Sequence, residues 1–246
     1  MESKFKLPTE EFELPSKGLL YPEDHVLASG TIEMKYMTAR EEDILTNQNY
    51  MKKGVVIDKL LEALIVTPVN YDDILVGDKN AIMIAARILS YGKDYEFDLG
   101  TGTQTVDLSL FENKVLDERL YRRGQNEFTF ELPTTNNVIT FKLLTHGDEK
   151  KIEQEVKGLQ KVNKDNITEA TTRLKHMITS INGSTDRNDI REFVDFGLLA
   201  KDARALREEY LRVAPDIDIT VHYEDADGVE REAALPINLN FFWPNA

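Results

Sequence analysis

The apolar residues of this chain change their spacing three times along its 246 residues. Between residues 38 and 92 they recur at intervals of three and four, which is typical of helices with a buried face. From Asp94 to Leu110 and again from Glu127 to Leu144 they alternate with polar residues, with a charged, ambiguous stretch at 111–126 between. After Gly147 the helical spacing returns as far as Val213, before a last alternating stretch. Because helical and strand patterns occupy separate stretches, the sequence predicts an α+β fold. It consists of a helical core interrupted by a β-hairpin insertion, with a C-terminal β-hairpin tail.

The same pattern divides the chain into five predicted segments. They are an extended N-terminal arm and strand (1–37), the first part of the helical core (38–92), a β-rich insertion (93–145), the second part of the core (146–213), and a C-terminal hairpin with an aromatic tail (214–246). Two-stranded hairpins are marginally stable alone, so we expect the C-terminal hairpin to pair with the insertion.

Several residues are placed to begin or end the predicted helices. Thr38 stands three residues before Glu41, which is the spacing of a capping box. Asp78 is expected to cap the start of a helix with a buried apolar face, and Gly92 to end that helix. Apolar residues at helical spacing also predict one long helix from Ile167 to Ile181.

Composition excludes several classes of protein. The chain has no cysteine, which excludes a disulfide scaffold, cysteine-ligated zinc, an iron–sulfur centre and a thiol nucleophile. Its formal charge of −14 disfavours nucleic acid as a partner, because phosphates repel an acidic surface. No apolar stretch approaches the roughly 20 residues that cross a bilayer, so we expect no membrane span.

No set of residues in the sequence points to catalysis. The four histidines lie far apart and are interpreted as surface or capped residues: His25, His146, His176 and His222. Nucleophile-elbow and phosphate-binding glycine motifs are absent, and neighbouring carboxylates on a helix diverge by about 100° per residue. We therefore predict no catalytic residue, no cofactor, no metal and no small-molecule substrate. A carboxylate-based hydrolase of the cell wall is the least favoured alternative.

Three groups of residues are candidates for binding a protein partner. The aromatic tail consists of Phe241, Phe242 and Trp243, and it either docks onto the core of this chain or anchors a partner. A predicted helix near residues 198–216 carries four cations on an otherwise acidic chain: Lys201, Arg204, Arg207 and Arg212. They form either a solvated face paired with nearby carboxylates or a docking edge for an acidic neighbour. The arm offers Leu14, Leu19 and Tyr21 as further anchors.

Eight stretches, in order along almost the whole chain, resemble one protein family. They are LPSKGLLYPEDH, GTIEMKYMTAREEDILTN, VVIDKLLEAL, DDILVGDKNAIMIAARILSYG, FELP, FKLLTHGDE, LLAKDARALREEYLRVAPDID and INLNFFWP. Together they are similar to the baseplate hub proteins of contractile-tailed bacteriophages of the T-even type. Each stretch is a weak motif alone, and the ordered set carries the resemblance.

The resemblance implies a tail protein that is made in the cytoplasm of the infected cell and that helps to build the baseplate hub. Its implied partners are other baseplate or tail proteins. Two roles remain open: a structural hub subunit of the virion, or a transient assembly chaperone that is absent from the mature particle. Relatives often carry cysteine pairs in the two hairpins, in the manner of zinc knuckles. This chain has Gly100-Thr101-Gly102 and Asp225-Ala226-Asp227-Gly228 there, so no metal site is implied.

Overall fold

The computed structural model of the chain describes residues 7–98, 102–162, 168–224 and 228–242, with no account of the Val162 side chain. Most of the two predicted hairpin turns (residues 99–101 and 225–227), as well as Trp243, lie outside the described residues. The α+β prediction is confirmed, because helices are accompanied by several small antiparallel sheets, among them a C-terminal hairpin.

The N-terminal arm contains a strand that the sequence pattern did not predict. Strand β1 (Thr9–Glu13) pairs antiparallel with β2 (Thr31–Lys35), so that Phe12 lies opposite Ile32.

Four helices follow: α1 (Ala39–Leu45), α2 (Gln48–Lys53), α3 (Val56–Leu64) and α4 (Val76–Tyr91). At the start of α1, the backbone N–H and the hydroxyl of Thr38 both donate to the Glu41 carboxylate, at 3.0 and 2.6 Å.

The predicted cap of α4 is wrong. The helix begins at Val76, so Asp78 lies inside its first turn instead of before it. Tertiary hydrogen bonds fix this start, because the Val76 N–H donates to the Leu144 carbonyl at 3.1 Å. The other end agrees with the prediction: Gly92 follows the last helical residue with a φ of 85°.

The insertion contributes a hairpin, β3 (Asp94–Asp98) with β4 (Thr103–Asp107), and two further strands, β5 (Phe128–Glu131) and β6 (Val138–Phe141). A strand from the second helical part, β7 (Ile178–Ile181), adds to β6 and completes a three-stranded sheet.

Strand β7 corrects the long helix that was predicted to end at Ile181. Isoleucines three residues apart fit the spacing of a helix face, but the free edge of β6 supplies backbone partners for a strand, such as Thr140 opposite Ser180. β-branched side chains suit the pairing.

The second helical part contains α5 (His146–Val162), α6 (Glu169–Met177), α7 (Arg187–Glu192) and α8 (Ala200–Val213), with one π-helical turn at Phe193–Gly197. The chain then forms β8 (Thr220–Glu224), β9 (Glu230–Ala234) and the short helix α9 (Leu239–Phe242). Helix α8 ends two residues before Pro215, as predicted.

The two hairpins do not pair as expected. Among the described residues, β3–β4 and β8–β9 are separate two-stranded sheets. Within the described ranges, the β-pairing between the insertion and the C-terminal segment is limited to one isolated antiparallel bridge, between Asn113 and Ile217. Each hairpin is instead stabilised by burying one of its faces against the rest of the chain. Phe97 in β3 and Val221 in β8 are both part of the core.

Candidate protein-binding site

The inner side of α8 is fixed to the rest of the protein. Leu206 and Val213 are buried in the core. Asp202, fully buried, accepts hydrogen bonds from the backbone N–H groups of Thr134 and Thr135 at 2.8 and 3.2 Å, and from the Thr135 hydroxyl at 2.8 Å. These bonds attach the helix to the turn between β5 and β6, so its outer side has a defined orientation.

The outer side of α8 carries all four cations that the sequence singled out, and all four are exposed. Arg204 donates to Glu208 at 2.8 Å, and Arg212 donates twice to Glu209, at 2.7 and 2.6 Å. Lys201 and Arg207 have no ion pair within the described part of the chain. The solvated-face interpretation therefore accounts for two of the four cations and leaves the other two available.

An apolar residue interrupts this cationic face. Leu211 is 63% exposed, one helical turn beyond Arg207 and two turns beyond Arg204. Residues four and seven apart lie on one side of a helix, so the leucine stands among the cations. A single exposed leucine is common on protein surfaces, so Leu211 is informative only together with the apolar surface beside it.

Beside Leu211 runs a groove between α6 and α8, with a volume of about 540 Å³. Most of its lining is apolar or aromatic: Leu144, Ala170, Leu174, Met177, Tyr210 and Leu211. Tyr210 is held by its hydroxyl, which accepts a hydrogen bond from the Leu144 N–H at 3.1 Å. The groove is therefore a built feature of the helix packing.

The two rims of the groove differ in charge. On the α6 side, Arg173 makes a two-bond ion pair with Glu149 and lies 3.9 Å from Glu169. The bond with Glu149 raises the pKa of Arg173 above its usual range, so its charge is permanent and already compensated. On the α8 side, Arg207 has no such partner among the described residues. An incoming carboxylate is therefore favoured at the α8 rim.

The predicted anchors in the arm are bound within the chain. Leu14 and Tyr21 are buried, and Leu19 is half-buried. The backbone N–H and hydroxyl of Ser16 donate to Asp78 at 2.9 and 2.7 Å, and the Tyr21 hydroxyl donates to it at 2.7 Å. Burial raises the pKa of Asp78 to about 6, although these hydrogen bonds lower it. The arm thus closes over the start of α4.

The aromatic tail also lies against the chain itself. Phe241 and Phe242 are both buried, and the Phe241 ring meets the Tyr95 ring edge-on with centroids 4.9 Å apart. Docking onto the core, the first of the two alternatives, therefore describes these two residues in this conformation. Sequence reasoning had no means of choosing between the alternatives, because an apolar tail fits either.

One polar cluster was not anticipated. His146, interpreted as a surface or capped residue, is the first residue of α5 and is buried against α3 and α4. Its Nδ1 lies 3.0 Å from Lys79 Nζ, which also pairs with Asp58 at 2.8 Å. Burial, followed by the Lys79 charge, lowers the pKa of His146. The carboxylate of Asp58 could orient His146 as a base, but it is already paired with Lys79. The cluster therefore connects helices α3, α4 and α5.

Two further observations concern the described residues alone. They contain no group of three or more histidine, aspartate or glutamate side chains placed to hold a metal ion. Within the same ranges, none of the helices has the length and apolar character needed to cross a membrane.

A small α+β protein with an apolar groove and an exposed cationic helix face has the features of a protein-binding subunit. The family model described as T4 bacteriophage base plate protein matches residues 8–243. The chain therefore belongs to this family of T4-type phage baseplate proteins, which confirms the resemblance at that level. No curated protein and no solved structure matches it significantly. Membership in the family implies contacts with other phage tail proteins.

Proposed function

We propose that this baseplate protein helps to assemble the baseplate hub through non-catalytic contacts, and that the outer face of α8 binds another tail protein. The observation that carries the proposal is the apolar groove beside α8, with the exposed Leu211 at its wall. On the same helix, Lys201 and Arg207 are exposed and have no ion pair among the described residues, on a chain with a formal charge of −14. Charges at the edge of an interface steer association and fix its orientation. On an acidic protein, a local cationic face favours an acidic neighbour over a basic one.

Three carboxylates, two of them buried and one half-buried, support a non-catalytic role. Asp78 accepts hydrogen bonds from the arm, Asp202 from the turn between β5 and β6, and Asp58 pairs with Lys79. Each of these groups connects two parts of the fold. A general acid or base must instead reach a proton on a bound substrate.

The arm and the tail have a different part in this proposal. Partner contact by Leu14, Tyr21, Phe241 or Phe242 would require the arm or the tail to leave the core, at the expense of buried apolar area. We therefore assign the first contact with the partner to α8. The arm and the tail keep the helices in the packing that presents it.

The test is a double charge reversal, Lys201→Glu with Arg207→Glu, introduced into the phage. We expect fewer completed baseplates and less co-purification of other tail proteins, because both unpaired cations are lost. The matched control is Lys52→Glu with Arg123→Glu, which reverses one exposed lysine and one exposed arginine elsewhere on the surface. If both doubles assemble as well as the wild type, α8 is not the contact surface.

Mass spectrometry of purified particles separates two forms of the proposal. Presence of the chain at a fixed copy number supports a structural hub subunit. Absence from the finished particle, together with an assembly defect in the double variant, supports a transient assembly chaperone.

A further inference from the structure

The groove between α6 and α8 has the shape and charge of a specific docking site. We infer that it receives an amphipathic helix of another tail protein, with leucine- or methionine-sized side chains in the groove and a carboxylate on Arg207. This inference rests on the proposed function, since it names the partner segment that the α8 face binds.

The lining of the groove determines the apolar part of the ligand. Leu174 and Met177 are buried beneath it, whereas Leu211 stands largely exposed at its wall. Covering apolar surface is favourable by roughly 25 cal/mol for each Å² removed from water. A volume of about 540 Å³ lies within the range of protein pockets that bind ligands, and it accommodates several aliphatic side chains.

The charges at the rims determine the polar part of the ligand and its orientation. Arg207 has no ion pair among the described residues, so a carboxylate from a partner can bind its guanidinium by two parallel hydrogen bonds. The opposite rim is already compensated, because Arg173 is paired with Glu149, and Glu169 there repels a second carboxylate. The acidic residue of the ligand must therefore lie on the α8 side.

The walls of the groove favour a helix over an extended peptide. Both walls are side chains of helices, and the lining includes no strand edge to which an extended peptide could add its backbone. Helical ligands bind such grooves with residues at positions i, i+3, i+4 and i+7. The longer wall of the groove is α6, Glu169–Met177, nine residues or about 13 Å of axis, which matches a ligand helix of two to three turns.

A photo-crosslinking amino acid at position 211 tests the inference in infected cells. We expect cross-links to one segment of a different tail protein, with apolar residues at helical spacing and an aspartate or glutamate beside them. The same crosslinker at Leu110, which is 74% exposed and lies outside the groove lining, is the control. Cross-links to a second copy of this chain, to a segment without acidic residues, or equally from both positions would overturn the inference.

The cross-linked segment, made as a synthetic peptide, then gives a quantitative test by fluorescence anisotropy. Arg207→Glu should weaken binding at least tenfold, because the substitution replaces an ion pair by repulsion. Ala170→Phe should weaken it similarly, since Ala170 is an exposed residue of the lining and a ring there fills the groove. Lys52→Glu should leave the affinity within about twofold of the wild type.

The outcomes for the groove and for the proposed function are distinguishable. If the double reversal at Lys201 and Arg207 abolishes capture of tail proteins while Ala170→Phe has no effect, the α8 face is a contact surface and the groove inference is wrong. If neither change affects capture, both are wrong.

Discussion

The first turn of α4 and the outer face of α8 both carry charges that the sequence singled out, and they use them in opposite ways. Asp78 in α4 is fully buried, and three donors from the arm, on Ser16 and Tyr21, point at its carboxylate. Arg207 in α8 is exposed and has no ion pair among the described residues. A carboxyl group with hydrogen-bond partners inside the chain connects parts of the fold, whereas an exposed charge without an ion pair is available to another protein.

The largest effect that this comparison predicts concerns close packing at the start of α4. A methyl group on Gly77 would lie 1.8 Å from the carbonyl oxygen of Pro215, far inside van der Waals contact. We expect Gly77→Ala to lower the free energy of unfolding by about 3–5 kcal/mol, because backbone on both sides must move. Urea unfolding followed by circular dichroism measures the change.

The matched control is Gly158→Ala in α5, where an added methyl group meets no atom within 4 Å. There the substitution should raise stability by about 0.5–1 kcal/mol, because alanine favours the helix. Equal effects at the two glycines would show that the start of α4 is not tightly packed.

The second prediction concerns pH. Burial raises the pKa of Asp78 from 3.8 to about 6, with a further contribution from nearby Asp216. Between these values the folded chain binds more protons than the unfolded chain, so the contribution of Asp78 to stability falls as pH rises. The unfolding free energy of the wild type, minus that of Asp78→Asn, should decrease by up to about 3 kcal/mol from pH 4 to pH 7.

Taking this difference removes the other titrating groups, which are common to both proteins. A difference that is constant with pH, or that increases, would mean that the hydrogen bonds from Ser16 and Tyr21 fully compensate the buried charge.

These two regions also show what the sequence could predict. The helical spacing of α8, its end before Pro215 and the exposure of its four cations follow from local pattern alone. The role of Asp78 does not, because an aspartate near a helix start is a normal cap, and its true partner Ser16 lies 62 residues away. The groove was missed for the same reason: it exists only where α6 packs beside α8.

Ambiguity of local pattern explains why strand β7 was predicted as the end of a helix. Ile178 and Ile181 satisfy the spacing of a helix and also pair well in a sheet, so only the free edge of β6 decides between them. One sequence signal for the groove was present but not used. Leu211 is a large apolar residue on the polar side of an amphipathic helix, between cations at four- and seven-residue spacing.

A smaller effect is expected for the arm. Tyr21→Phe keeps the ring and removes the hydroxyl that donates to Asp78 and accepts from the Leu75 N–H at 2.9 Å. Two buried groups then lose a partner, which should lower the unfolding free energy by about 1–2 kcal/mol. Tyr50→Phe is the control, since no described residue bonds its hydroxyl, and it should change stability by less than about 0.5 kcal/mol. Equal losses from the two variants would contradict the role of the Tyr21 hydroxyl.

The smallest effect on stability is expected on the outer face of α8, and it completes the comparison. Arg207→Glu removes no ion pair and no side-chain hydrogen bond among the described residues, so the unfolding free energy should stay within about 0.5 kcal/mol of the wild type. Thermal and urea unfolding of the purified variant measure this. A loss of more than about 1 kcal/mol would mean that Arg207 supports the fold, and an assembly defect in the variant would then report misfolding. An unchanged stability leaves loss of a partner contact as the cause, because the surface is altered while the packing beneath it is not.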